Sequence, residues 1–348
     1  MEVVIGILQV IGIVVAVFIV YLLVVALVPG ISAPEQPLET SLPSTPKTAI
    51  RPPSRSDVSF EVRGTSLSAW LYLPEEASAP VPCVVMGNGF GGTKDMLLES
   101  YALRFQAAGL AALAFDYRHF GDSEGEPRQL TWIPYQLQDY AAAVAYARGR
   151  KEIDPARVAL WGTSASGGHV VVSAARDSEV ACVVAQCPGL DGRAAALEGY
   201  RKVGIKNGLR LIVHGQRDLV RSWLGLSPHK IPIVGRPGSI ACMPTQDAYD
   251  GYASIASESF VNEVCARITI RGDKYRPVTK AKRVRCPVLL LICESDELAP
   301  VSAAEETAEK LGDLAEVRRY PIGHFDIYIG ANFERSVADQ LEFLSRHL

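Results

Sequence analysis

The stretch Trp161–His169, WGTSASGGH, carries two serines two positions apart among small residues. A serine hydroxyl is a weak nucleophile unless a neighbouring base takes its proton. It suits that task when it stands at a sharp strand-to-helix turn, clear of the backbone around it. Such a turn presses the residues two before and two after the serine together, so both must be small. Ser164 has Gly162 and Ser166 in those places, and Ser166 has Ser164 and Gly168. Size alone admits both registers. The apolar run RVAL ends near Trp161, which puts Ser164 at the apex. Ser166 then falls in the first helical turn, where a hydroxyl more naturally caps. Ser164 is therefore the expected nucleophile.

The base must be a histidine placed late in the chain, because sites built on such a turn run in the order Ser, acid, His. His324 fits: it lies in YPIGHFDIYIG, after the last apolar strand and before the closing helix. His119 and His169 break the order, and His347 ends the chain's last helix. Two aspartates compete for the acid, whose task is to fix the imidazole tautomer and stabilise the imidazolium. Asp296 in LLLICESDELAP stands just past an apolar strand, with Glu294 as the fallback. Asp218 in LRLIVHGQRDLV has a similar apolar run before it, but a helical pattern continues after it. Between Asp296 and His324 lie one helical run, SAAEETAEKLG, and one strand, the spacing of a single repeat; Asp296 is the expected acid. The developing oxyanion needs two fixed N–H donors. Ala165, directly after the nucleophile, supplies one, and the glycine-rich loop GNGFGGTKD supplies the other, expected at Phe90.

The elements that carry these residues alternate. Short apolar runs (VPCVVMG, LAALAF, RVALWG, VACVVAQ, CPVLLLIC) are separated by helical segments such as YQLQDYAAAVAYAR and GGHVVVSAARD. That rhythm predicts a mostly parallel sheet covered by helices on both faces. VSFEVRG and LSAWLYLPE read as an antiparallel pair around Gly64-Thr65, and Asp154-Pro155 reads as a turn before its strand. Residues of about 188–285 break the rhythm and are expected to form an insertion lying over the sheet's C-terminal edge as a lid.

The N-terminus is a different material. Residues 3–28 are almost all apolar, Gln9 being the one strongly polar side chain. As a helix they span about 39 Å, more than the ~30 Å of bilayer hydrocarbon. No basic residue precedes them and ISA is a poor cleavage site, so a retained membrane helix is favoured over a cleaved signal peptide. The nearest positive charges, Lys47, Arg51 and Arg55, all follow it, which leans towards a cytoplasmic catalytic domain. Residues 29–56, rich in Pro, Ser and Thr, read as a tether, and 57–348 as the catalytic domain. A net charge of −3 gives no basic field for nucleic acid, and seven scattered cysteines without a C-x-x-C pair suggest neither a disulfide framework nor a zinc site. No cofactor or metal motif is present, and the oligomeric state is not legible.

Longer strings go beyond a fold. GNGFGGTKDM, FDYRHFGDSEGEPRQ, ALWGTSASGGH, NEVCARI and YPIGHFDIY together resemble the α/β-hydrolases grouped as the polyketide transferase family, over roughly residues 57–348. The resemblance implies the α/β-hydrolase fold, the triad Ser164, Asp296 and His324, and release or transfer of acyl chains, with a polyketide synthase carrier among the implied partners. Two departures stand out: Asn88-Gly89 replaces the usual His-Gly of the oxyanion loop, and Ala165 replaces a bulkier residue. The expected chemistry is attack on an ester or thioester by Ser164. A serine at the turn excludes the dehalogenase and epoxide hydrolase routes, which need a carboxylate nucleophile. The rival readings are a catalytically inactive binding module at a membrane, and a peptidase.

Overall fold

The computed structural model describes residues 2–28, 32–33, 38, 55–75 and 80–348. Helix α1 covers Glu2–Leu27, and the strands and helices of the body begin at Arg55. Most of the expected tether, 29–56, lies outside the described residues.

The body is built on an eight-stranded sheet. Its strands are β1 (Arg55–Val62), β2 (Thr65–Tyr72), β3 (Val81–Gly87), β4 (Ala111–Phe115), β5 (Ile153–Thr163), β6 (Val183–Gln186), β9 (Val288–Cys293) and β10 (Ala315–Tyr320), in the order β1-β2-β4-β3-β5-β6-β9-β10. Pairing is antiparallel at β1/β2 and β2/β4, and parallel from β4 to β10. β1 and β2 are joined at Arg63 and Gly64, both at positive φ (51° and 79°), the geometry of a tight two-residue hairpin turn. β1 starts three residues before the expected Val58, so Arg55 and Ser56 belong to the strand and not to the tether. An edge strand needs no buried side chains there, and Arg55 lies over Trp70 and pairs with Glu99. The expected turn at Asp154-Pro155 is a bulge inside β5: the ladder to β3 slips between Ile153 and Val158, and Asp154 accepts from the Ala156 N–H.

The continuous apolar runs are buried on both faces because both faces are covered. Along β9, Leu289, Leu291 and Cys293 join one core with Tyr101 and Phe105 of α2 (Leu98–Ala107) and Phe343 of α8 (Gly330–His347). Val288, Leu290 and Ile292 join the other with Tyr140 of α3 (Ile133–Arg148), Val170 of α4 (Ala165–Ala174) and Ala304 of α7 (Val301–Leu311).

Between β6 and β9 the chain leaves the sheet. It forms α5 (Gly192–Trp223), a two-stranded ribbon of β7 (Lys230–Ile231) and β8 (Val264–Cys265), α6 (Gln246–Ile255) and a run of short 3-10 turns. Asp191 caps α5 by accepting from the N–H groups of Arg193 and Ala194, and Gly204 (φ 78°) breaks the helix into two arms. The apolar run before Asp218 is thus the second arm of α5 and not a strand.

Candidate active site

Strands β3, β5, β6, β9 and β10 run parallel, so the loops after them open at one edge of the sheet. Ser164 is the single residue between β5 and α4. Its backbone sits at φ 54°, ψ −120°, a conformation that costs a non-glycine residue about 1–3 kcal/mol and persists only where its surroundings over-determine it. Those surroundings are specific. The Ser164 N–H donates to Gln186 O at 2.9 Å, and its carbonyl accepts from Gly167 and Gly189 at 3.0 and 2.7 Å. Gly162 admits the Ser166 carbonyl at a distance no side chain would allow, and Gly89 lies against the Ser164 Cβ.

The three residues scattered along the sequence meet here. The Ser164 hydroxyl lies 3.1 Å from His324 Nε2, and His324 Nδ1 donates to Asp296 Oδ2 at 2.6 Å. Asp296 follows β9, and its other oxygen accepts from the N–H groups of Leu298 and Ala299 at 2.8 and 2.7 Å. A carboxylate held by two backbone donors and one imidazole is fixed in position. His324 follows β10 on a turn closed by Asp326, which accepts from Gly323. Both side chains are buried, while Ser164 is half-buried. Burial disfavours the His324 imidazolium; negative charge at Cys187, when its thiol is ionised, and the Asp296 carboxylate favour it, and the net direction is well above the ordinary imidazole value. That arrangement stabilises the cation formed when the ring takes a proton from the serine.

Ser166 is fully buried, with its hydroxyl between Tyr117 OH and the Asn88 carbonyl, and it makes no hydrogen bond to His324. Phe90 lies in the loop after β3, and Ala165 opens α4. Among the described residues neither N–H has a hydrogen-bond acceptor within the protein. Asn88 does not face the site with its amide. It donates to Thr93 O and Met96 O at 2.6 and 3.0 Å and accepts from the Gly89 N–H at 2.7 Å, so it shapes the loop from beneath. From above, Tyr252 of α6 donates to Phe90 O at 2.6 Å.

The other candidates sit elsewhere. Asp218 is buried in an ion pair with Arg267 and also accepts from the His229 N–H. Glu294 is exposed beside Arg319. His169 is buried between Tyr275 OH and Gln136. Sequence reasoning missed the floor of the site. Cys187 Sγ lies 3.9 Å from His324 Nε2 and 3.3 Å from Tyr328 OH, and the Tyr328 hydroxyl also meets Thr163. Cys187 holds a positive φ of 35°, and nothing in VVAQCP marks it except its place at a strand end.

A parallel sheet with helices on both faces, a strained serine after its fifth strand, and a late acid and histidine define an α/β-hydrolase. Comparison with known proteins agrees. The family model for X-Pro dipeptidyl-peptidase (S15 family) matches residues 63–216. The quorum-quenching protein AidA of Acinetobacter baumannii is 41% identical over 85% of this chain and 96% of its own length. The polyketide transferase ATR5 of Stachybotrys chlorohalonatus is 27% identical over 85% and 98%. Among solved structures, the α/β hydrolase GrgF of Penicillium superposes with a TM-score of 0.72 at 25% identity, covering 84% of this chain and 98% of that one. The chain belongs to the α/β-hydrolases related to the polyketide transferase family, and it is an enzyme of hydrolase type.

Proposed function

We propose that this protein is a membrane-anchored serine hydrolase or acyltransferase that cleaves an ester or thioester through Ser164, His324 and Asp296. The observation that carries the reading is the continuous hydrogen-bonded line from Ser164 Oγ through His324 to Asp296 at a strained strand-to-helix turn. Ser164 attacks the acyl carbon while His324 Nε2 takes its proton. The Phe90 and Ala165 N–H groups hold the oxyanion. The tetrahedral adduct collapses, and His324 returns the proton to the leaving alcohol or thiol. Water or an alcohol then attacks the acyl-enzyme by the same steps in reverse, and Ser164 recovers its proton. The name polyketide transferase borne by one relative supports an acyl chain of polyketide type, delivered by a carrier, as the substrate class.

In this reading residues 188–285 are a lid, 29–56 are a tether, and α1 spans a bilayer with the catalytic domain on the cytoplasmic side. The helix has the length and composition of a membrane span or a signal sequence. A fluorophosphonate probe tests the chemistry. Labelling is expected on Ser164 and lost in Ser164→Ala; a folded protein that never labels would support the inactive binding module instead. A panel of acyl esters, acyl thioesters and peptides, with and without an alcohol acceptor, separates hydrolase, transferase and peptidase. Carbonate extraction tests the anchor, and release of the full-length chain would refute it.

A further inference from the structure

The apolar surface that catalysis leaves unused lies along α1 and α5. Every side chain from Val4 to Val20 is exposed, a rod of about 26 Å at the helical rise. Below it the helix docks on the second arm of α5. Val25 and Ala26 are buried, and Tyr21 OH donates to Gln216. Arg217 donates to the carbonyls of Val25 and Val28, and Arg221 to that of Ala26. Those are the carbonyls a helix leaves without partners at its C-terminus, and two guanidiniums from α5 satisfy them. α1 therefore ends in a socket built by the catalytic domain.

If α1 fills the hydrocarbon, its docked end stands at the headgroup layer, and α5 stands there with it. The side chains of α5 suit that position. Ile205 is 83% exposed and Trp223 66%, with Leu209 and Leu224 also exposed. Ile205 and Leu209 line a hollow of about 430 Å³ that also takes in Lys206 and Arg210. The helix carries seven Lys and Arg against two Asp and Glu, one of which, Asp218, is already paired with Arg267. Residues 188–285 hold 17 basic against eight acidic side chains, in a chain with 35 against 38 overall. A basic helix with an exposed apolar face and a tryptophan near one end has the composition of an interfacial helix.

The first arm of α5 leads to the site. Its cap, Asp191, stands two residues beyond Gly189, which donates to Ser164 O, and Lys202 donates to the carbonyl of Glu297, the neighbour of Asp296. Leu197 and Tyr200 are exposed on this arm. We propose that α1 and the outer face of α5 form one surface docked on a bilayer with anionic phospholipid headgroups, and that Ser164 draws its acyl substrate from that bilayer. The substrate class is an ester or thioester with an apolar chain that partitions into lipid. This inference rests on the anchor reading of α1.

The test uses the full-length chain in phosphatidylcholine vesicles with and without phosphatidylglycerol. Lipids brominated near the headgroup are expected to quench Trp223, and the quenched component is expected to vanish in Trp223→Phe. The combined variant Ile205→Asp, Leu209→Asp is expected to stay in the carbonate pellet through α1 and to keep its rate on a short soluble ester. On a long-chain ester dissolved in the vesicles it is expected to lose roughly tenfold or more, since charge on an interfacial face opposes insertion. A wild-type chain released by carbonate overturns the anchor reading. A retained chain with unquenched Trp223, or a variant with wild-type rates on vesicle substrate, overturns this inference alone. So does cross-linking of Trp223 faces into a dimer that excludes lipid, which would make a second copy the occupant.

Discussion

Gly162→Ala tests the geometry on which the catalytic reading stands. A Cβ on Gly162 would lie 2.2 Å from the Ser166 carbonyl oxygen, 2.5 Å from its carbon and 3.0 Å from Gly167 N, where ordinary contact begins at 3.4 Å. The oxygen must retreat by about 1.2 Å, and both partners are main chain, so no rotamer relieves the clash. Gly162 is fixed by pairing with Gly87 on one side and Ala185 on the other. The Ser166 side chain is held by Tyr117 and Asn88. The element left to move is the turn at Ser164. Overpacking of this kind costs about 1–3 kcal/mol, and a nucleophile misplaced by ~1 Å loses roughly a hundredfold in rate. The second-order rate of fluorophosphonate labelling should therefore fall by about two orders of magnitude, and the melting midpoint should fall by a few degrees. Gly149→Ala is the control, since its Cβ meets nothing closer than 3.4 Å. A Gly162→Ala protein that labels and melts like wild type would refute the argument, because residues 162 and 166 would then not be pressed together and Ser164 would not be at the apex.

Ser164→Ala should lower turnover by roughly 10⁶-fold, whereas Ser166→Ala should leave Ser164 labelled and cost about 1–3 kcal/mol in a urea titration, because Tyr117 and Asn88 lose a buried partner. Asp296→Asn should cut kcat by about 10⁴-fold with little change in melting. Asp218→Asn should do the reverse, removing about 1–3 kcal/mol of stability by leaving the half-buried Arg267 guanidinium without its carboxylate while the folded fraction still labels. His169 gives a pH signature: burial lowers its pKa from 6.5 to about 3. Between those values the unfolded chain binds a proton that the folded one refuses, so its contribution to stability is full above 6.5 and falls by up to about 1.4 kcal/mol per pH unit on acidification. His169→Gln should flatten that slope in denaturant titrations run on either side of 6.5; an unchanged slope would assign it to other groups.

The sheet was legible because burial on both faces leaves unbroken apolar runs such as VLLLIC, and its helices because they interrupt those runs. The insertion was legible as a break in rhythm but not as structure. LRLIVHGQRDLV has the composition of a strand followed by a loop, yet it is helix, because Leu211 packs inward while Arg210 and Leu209 face out. Strand ends slipped where edge positions carry polar residues, as at Arg55. At the site, chain order and residue type pointed to three side chains that the fold brings within hydrogen-bond reach. The thiol of Cys187 and the hydroxyls of Thr163 and Tyr328 beneath His324 carried no such order. They lie on separate segments, and only the register of β5 and β6 and the turn after β10 bring them together.

The insertion touches each loop that the chemistry needs. Tyr252 fixes the Phe90 carbonyl, Ile233 packs on Gly91, and Gly251 takes the ring of Phe325 so closely that a Cβ would overlap it. Lys202 holds Glu297 beside the acid. The turn at Ser164 is braced by the end of β6, through Gln186, and by the insertion's second residue, Gly189. Two kinds of support thus meet at one site. The strained backbone of Ser164 is held from the end of β6 and from the residues that follow it directly. The Phe90 loop, Phe325 and Glu297 lean instead on α6, on Ile233 just past β7 and on α5, which lie outside the eight-stranded sheet. Under the proposed lid reading, lifting the insertion would free the Phe90 carbonyl and the Phe325 ring together, and reseating it would restore both. On that proposal, turnover of bulky acyl chains would be coupled to reseating through the Tyr252 hydrogen bond to Phe90 O, while the reactivity of Ser164 towards a small probe would be set by the turn at Ser164 alone.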